Sequence, residues 1–307
     1  MSTSTARRRA LTWTSLAVLL AVAAVQAVSF AHAWRFTHFV HTGGRTQGPE
    51  DLTLVDRVGV LATGVRVPQP QDSLGVDALG PSAREIHIGA APAWSLPGDG
   101  RGCVGLFPGY AASRSSLVDE ALAFRELGYS VVVVGFPGDS TSLGWHEAEH
   151  VRQLALHCAD AESLVLYGKS MGAATILRAV GELGVEADAL VLECPFDRLL
   201  TTVGHRFESM GLPAFPGAGL LVFWGGLQHD FDGFDHNPVD YAARVPVPTL
   251  LLHGERDPRV HMNEARGIDD ALAGAHRLVV FPDAGHVPLL GADGALWRRE
   301  VEAWLAQ

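Results

Sequence analysis

Beyond residue 100, short runs of consecutive apolar residues alternate with stretches whose apolar positions recur every three or four residues. The runs at 103–107, 131–136, 164–167, 189–192, 249–253 and 278–281 have the length and continuity of strands buried on both faces. Residues 115–127 place Leu117, Ala121, Leu122, Phe124 and Leu127 at helical spacing and stop at Gly128. Helices are likewise predicted over 147–159, 171–183, 261–273 and 296–306. Repeated strand–helix–strand units predict an α/β fold, a mostly parallel sheet with helices on both faces. Upstream, 55–67 and 86–94 read as β-prone runs broken by Gly, Pro and Asp.

Two segments depart from this rhythm. Residues 196–244 mix Pro, Gly, Phe and Trp without strand–helix alternation, as in 212–217 and 223–226. An insertion of this length between two sheet strands predicts a cap over the site, because so many aromatics in water would be costly. The other segment is N-terminal: Arg7, Arg8 and Arg9 precede an uncharged stretch from Ala10 to Trp34. As a helix, its 25 residues would reach about 37 Å, enough to cross a bilayer core of about 30 Å with tilt. Trp13 and Trp34 bracket it as interfacial aromatics do.

The organisation read from this pattern is a basic cytoplasmic tail (1–10), a transmembrane signal anchor (11–34), a polar Gly-rich linker (35–50), and one large α/β domain (51–307) with a cap insertion at 196–244. The arginines hold their end in the cytoplasm and place the domain on the extracytoplasmic side. The rival reading is a signal peptide cleaved near Ala33, in Ala31-His32-Ala33, giving a secreted chain. Both readings export the domain, and both treat the N-terminal segment as an address, so that removing residues 1–34 is expected to leave a soluble domain with its function intact.

Composition narrows the function. The chain is 48% hydrophobic and carries a net charge of −11 from 23 basic and 34 acidic residues. Nucleic acid would be repelled by such a surface, so no nucleic-acid partner is expected. Cys103, Cys158 and Cys194 are odd in number and widely spaced; they match no zinc pattern and no disulfide framework, and are expected to pack unpaired.

The candidate chemistry sits at strand ends. Gly168-Lys169-Ser170-Met171-Gly172 follows an apolar strand and opens a helix. That context puts a serine in a strained turn with its hydroxyl exposed above the sheet, and the flanking glycines let backbone approach. A free hydroxyl is a poor nucleophile and needs a base. His286 follows the last predicted strand at the same sheet edge, whereas His205, His229 and His236 lie in the insertion with no strand to aim them. Asp257, after the 249–253 strand, is the candidate carboxylate to orient the imidazole, with Glu255 and Glu193 as competitors. The order Ser170, Asp257, His286 is the one this architecture uses. Backbone N–H groups of Met171 and of Tyr110, with Ala111 as fallback, are the candidate oxyanion donors.

With these motifs the sequence resembles the serine α/β-hydrolase family from about Val55 onward, and more narrowly its membrane-anchored bacterial branch of serine aminopeptidase-like and lysophospholipase-like hydrolases. The elbow matches Gly168 to Gly172, the acid Asp257 and the histidine His286. The segment Gly135-Phe136-Pro137-Gly138-Asp139-Ser140 resembles the family's Arg-Gly-His-Gly-x-Ser loop, with Pro137 and Asp139 departing from it, and Pro108-Gly109 stands where the family has His-Gly. The resemblance implies an α/β-hydrolase fold and hydrolysis of an ester, thioester or amide through an acyl-enzyme, with no metal and no organic cofactor. The expected substrate is a small or lipid-like acyl compound. A carboxylesterase leads; a lysophospholipase, lipase or peptidase of the same fold, or a non-catalytic membrane-anchored binding protein, are the alternatives.

Overall fold

The computed structural model describes residues 2–307, with side chains from Thr12 onward. The side chains of Arg7, Arg8 and Arg9 therefore lie outside the described residues. The chain opens with one long helix, α1 (Ser2–Thr37), followed by α2 (Leu54–Thr63). Then come β1 (Arg84–Ile88), β2 (Ala91–Leu96), β3 (Cys103–Phe107), α3 (Val118–Glu126), β4 (Ser130–Val134) and α4 (Ala148–His157). The nucleophile region is β5 (Leu164–Lys169) and α5 (Met171–Gly181), then β6 (Ala189–Glu193). The insertion contributes α6 (Leu199–Ser209), α7 (Gly217–Gln228) and α8 (Pro238–Ala242). The chain closes with β7 (Thr249–Gly254), α9 (Met262–Ala271), β8 (His276–Phe281), α10 (Leu289–Ala292) and α11 (Gly294–Leu305).

The strands form one sheet in the order β1-β2-β4-β3-β5-β6-β7-β8. From β4 to β8 every pairing is parallel; β2 runs antiparallel to both β1 and β4. Side chains alternate between two cores, as the period of a strand requires. Cys103, Phe107, Val132 and Val134 face the core shared with α4, α5, α8 and α9. Val104, Leu106, Val131 and Val133 face the one shared with α3, α10 and α11, around Trp94, Phe124 and Trp297. Burial on both faces explains why these strands read as unbroken apolar runs.

Two expectations are corrected, that for 55–67 and that for the cysteines, and two are filled in. The 55–67 run is mostly helix: Thr53 caps α2 through a reciprocal capping box with Asp56, and Leu54, Val58 and Leu61 fall at helical spacing. The 86–94 run is a hairpin in which Ile88 pairs with Ala91. The insertion is helical, and α6 and α7 pack through Leu199, Val203, Ala218 and Val222 against Phe196 and Val260. Cys103 and Cys158 form a disulfide, leaving buried Cys194 as the free cysteine. The start of β3 and the end of α4 are 55 residues apart, and only the crossover through β4 brings them together.

The first part of α1 is exposed, from Trp13 through Val25, and the stretch Thr12–Thr37 is long and apolar enough to cross a membrane. Its C-terminal end does not stand apart. Ser29, Ala33 and Thr37 are buried against the insertion, the Trp224 indole donates to Gln26 Oε1 at 2.8 Å, and the Gln228 amide donates to the Phe30 carbonyl at 2.9 Å.

Candidate active site

The parallel strands end at one sheet edge, and their loops carry the site, as open α/β sheets place it. Ser170 stands between β5 and α5 at φ 50°, ψ −112°, a conformation L residues rarely adopt. Positions 168 and 172, two residues to either side, must be glycine. A Cβ at Gly168 would come within 2.6 Å of Ala173 N, and one at Gly172 within 2.3 Å of Phe107 O. The Ser170 N–H donates to the Glu193 carbonyl at 2.7 Å, which ties the strained turn to β6.

His286, in the loop after β8, places Nε2 3.1 Å from Ser170 Oγ and Nδ1 2.6 Å from Asp257 Oδ2. Asp257, in the loop after β7, turns its other oxygen to the N–H groups of Arg259 at 2.8 Å and Val260 at 2.9 Å. Burial alone would raise the Asp257 pKa. The His286 hydrogen bond and charge, with the two backbone donors, outweigh it and hold the carboxyl below its ordinary value. It is thus an anion beside the His286 ring.

The competitors stand elsewhere. Glu255 is exposed. Glu193 is buried, and its carboxylate accepts from the Tyr167 hydroxyl and the Trp297 indole, each at 2.6 Å. His236 is fully buried with Nε2 3.0 Å from the Leu143 carbonyl, and His205 pairs with Glu264 at 3.1 Å. His229 lies in the insertion, 5.1 Å from the His38 ring.

Met171 N, at the start of α5, and Tyr110 N, in the loop after β3, have no protein acceptor among the described residues. The loop lies against the elbow, since a Cβ at Gly109 would sit 3.6 Å from Ser170 Cβ. Ala111 adopts φ 51° and directs its carbonyl to Arg45 at 3.2 Å.

Above Ser170 and His286 opens a cavity of about 640 Å³, lined by these two, by residues of α6 and α7, and, unexpectedly, by His32 and Phe36 of α1. The segment read as a linker also contributes, through Arg45, Thr46 and Gly48. The N-terminal segment is therefore part of the cavity wall, contrary to its reading as an address alone. Sequence held one faint hint, the polar His32 in an otherwise apolar stretch, but no signal of where it points.

Two groups of side chains have metal-ligating types in reach of one another among the described residues. One is Cys194 with Asp257 and His286. Burial, then the Asp257 and Glu193 charges, push the Cys194 thiol well above its ordinary pKa, so it stays protonated. The other is His205, His261 and Glu264, where Glu264 already accepts from His205 and from the His261 N–H at 2.8 Å.

Known proteins bear on this arrangement. The YfhR protein of Escherichia coli O157:H7, itself uncharacterized, is 28% identical over 143 residues, 46% of this chain and 44% of that protein. The match thus spans under half the length of that relative. Among solved structures, the Pyrococcus furiosus esterase Pf2001 superposes with a TM-score of 0.64 at 20% identity, over 78% of this chain and 97% of that one. A puromycin-hydrolyzing peptidase of Mycobacterium tuberculosis gives a TM-score of 0.60 at 19% identity, over 76% of this chain and 40% of that one. These likenesses show the α/β-hydrolase fold that the motifs implied. Residues 147–307, more than half the chain and the part that carries Ser170, Asp257 and His286, match the prolyl oligopeptidase family, to which this chain belongs.

Proposed function

We propose that the chain is a serine hydrolase that cleaves a carboxylic ester or related acyl bond through an acyl-enzyme. The observation that carries this reading is the continuous line from Ser170 Oγ through His286 to Asp257, with spacings of 3.1 and 2.6 Å, on an elbow held at positive φ. Ser170 Oγ attacks the acyl carbonyl while His286 Nε2 takes its proton, and the buried Asp257 anion stabilises the imidazolium. The N–H groups of Met171 and Tyr110 receive the developing oxyanion. His286 returns the proton to the leaving group, and water then repeats the sequence on the acyl-enzyme. A fluorophosphonate label tests it: the wild type incorporates the label and hydrolyses p-nitrophenyl esters, and Ser170→Ala does neither while keeping its fold. Esterase activity of wild-type magnitude in Ser170→Ala would sink the mechanism, and an unlabelled wild type would favour a binding protein.

Within this chemistry, the apolar part of the cavity, with Leu52, Leu61, Met210 and Leu221, favours an ester with an acyl chain over a peptide. The α1 helix supports a single-pass anchor with the domain on the extracytoplasmic side, and the Cys103–Cys158 bond fits an oxidising compartment. Ala33 is 2% exposed and lies within α1, near its C-terminal end, against the insertion, which favours retention over cleavage at that point.

A further inference from the structure

The cavity above Ser170 carries positive charge that the triad does not use. Arg45, Arg66 and Arg206 line it, and among the described residues none of the three is ion-paired with a carboxylate. The other cations of the wall are neutralised: Arg259 donates two N–H groups to Glu50 Oε1, and Lys169 pairs with Glu120 at 2.5 Å. Glu193, the carboxylate of the lining, is engaged by Tyr167 and Trp297.

Arg206 is the most constrained of the set. Its guanidinium carbon lies 4.7 Å from the Phe36 ring centroid and 5.8 Å from that of Tyr110. Those two rings stack at 5.2 Å, so α6, α1 and the loop beside Ser170 together fix the guanidinium. Stacking occupies its flat face and leaves the N–H edge for a ligand. Burial, with the Arg259 and Arg45 charges, outweighs the favourable influence of Tyr110 and of the Glu50 carboxylate that Arg259 holds, and disfavours its charged form, a cost that a bound anion would offset. The chain's net charge of −11 makes an unpaired basic wall here a local feature and no product of composition.

We propose that the substrate is an anionic ester, with its acyl chain on the apolar wall and a phosphate or carboxylate on the leaving alcohol held by Arg206 together with Arg45 and Arg66. The proposal rests on the serine hydrolase reading for turnover, but not for binding.

Two measurements on the full-length protein in neutral detergent separate the two. Calorimetry with octyl phosphate, octanoate and octanol reads binding without chemistry. Either anion should bind at least about tenfold more tightly than octanol, as charge-assisted hydrogen bonds imply, and which binds better distinguishes phosphate from carboxylate. In turnover, kcat/KM for 1-octanoylglycerol 3-phosphate or octanoyl glycolate should exceed that for 1-octanoylglycerol by a similar factor. Arg206→Met, which keeps apolar packing on Phe36, should collapse the anionic-to-neutral ratio, and Arg206→Lys should restore part of it. Arg45→Gln and Arg66→Gln carry the same test if the Arg206 variants do not fold. Failure of turnover with preserved anion binding would overturn the hydrolase reading alone. Octanol binding as tightly as both anions, or an anionic-to-neutral ratio unchanged across these variants, would overturn the anion site.

Discussion

The Tyr110 hydroxyl donates to the Phe36 carbonyl, and the two rings stack nearly parallel, 9° apart. One residue ends the long N-terminal helix; the other supplies a proposed oxyanion N–H next to Ser170. Burial holds the Tyr110 hydroxyl protonated, with its pKa pushed up to about 12, so this donor is permanent at any working pH. The end of a helix with the length and apolarity of a membrane anchor is thus in direct contact with the loop that shapes the site.

Truncation should expose this coupling. Removing residues 1–25 leaves Gln26, Phe30, Ala33 and Phe36 on the insertion, and kcat/KM should stay within a few-fold of wild type. Removing residues 1–37 strips the half-buried Phe36 from Tyr110 and Arg206, a contact of about 1–2 kcal/mol. That variant should lose about tenfold or more in kcat/KM and melt at lower temperature. Equal kcat/KM for the two truncations would show that the helix end has no part in the site.

Asp257→Asn should slow the chemical step by about 10⁴, the loss seen when an amide favours the wrong imidazole tautomer in another serine triad. Glu193→Gln meets a different need, since its carboxylate accepts from Tyr167 and Trp297 in the core. It should cost about 1–3 kcal/mol of stability with a far smaller effect on rate. Burst kinetics and thermal melting of both variants separate the roles; a dead Glu193→Gln beside a normal Asp257→Asn would reverse the assignment.

Acid should weaken the fold through His236. Burial, then the Arg178 charge, outweigh the Leu143 hydrogen bond and bring its pKa from 6.5 down to about 4. The unfolded chain therefore takes up a proton here at a pH where the folded one refuses it. No penalty exists well above 6.5; it grows as pH falls and is complete near 4, reaching about 3 kcal/mol. Melting curves between pH 7 and 4.5 should show a smaller acid loss in His236→Gln than in wild type. Identical slopes would remove His236 from the account.

The Cys103–Cys158 bond closes a separation of 55 residues, for which chain entropy alone gives about 4 kcal/mol. Protein taken from membranes with thiols blocked at lysis, then denatured, should expose one reactive thiol before reduction, Cys194, and three afterwards. Three thiols before reduction would argue against the bond and against an oxidising compartment. Cys103→Ala with Cys158→Ala should lower the melting temperature by several degrees.

What the sequence determined by itself was local. Strands buried on both faces show as apolar runs, so 131–136 and 249–253 fall where β4 and β7 form. The proposed site residues Ser170, Asp257 and His286 each follow such a strand, and parallel strands deliver their following loops to one edge. The steric demand for glycine at 168 and 172 is likewise written in adjacent residues. The capping box of α2, Thr53 with Asp56, is also written in adjacent residues, and it outweighs the β-propensity of 55–67. Tertiary structure alone decided the rest. Gln26 meets Trp224 across 198 residues, and Cys103 meets Cys158 only after a crossover. Arg206 is one of many arginines until α6, Phe36 and Tyr110 close around it. Periodicity reports which face of an element is apolar, but the partner that covers that face is fixed by the packing of segments distant in the chain.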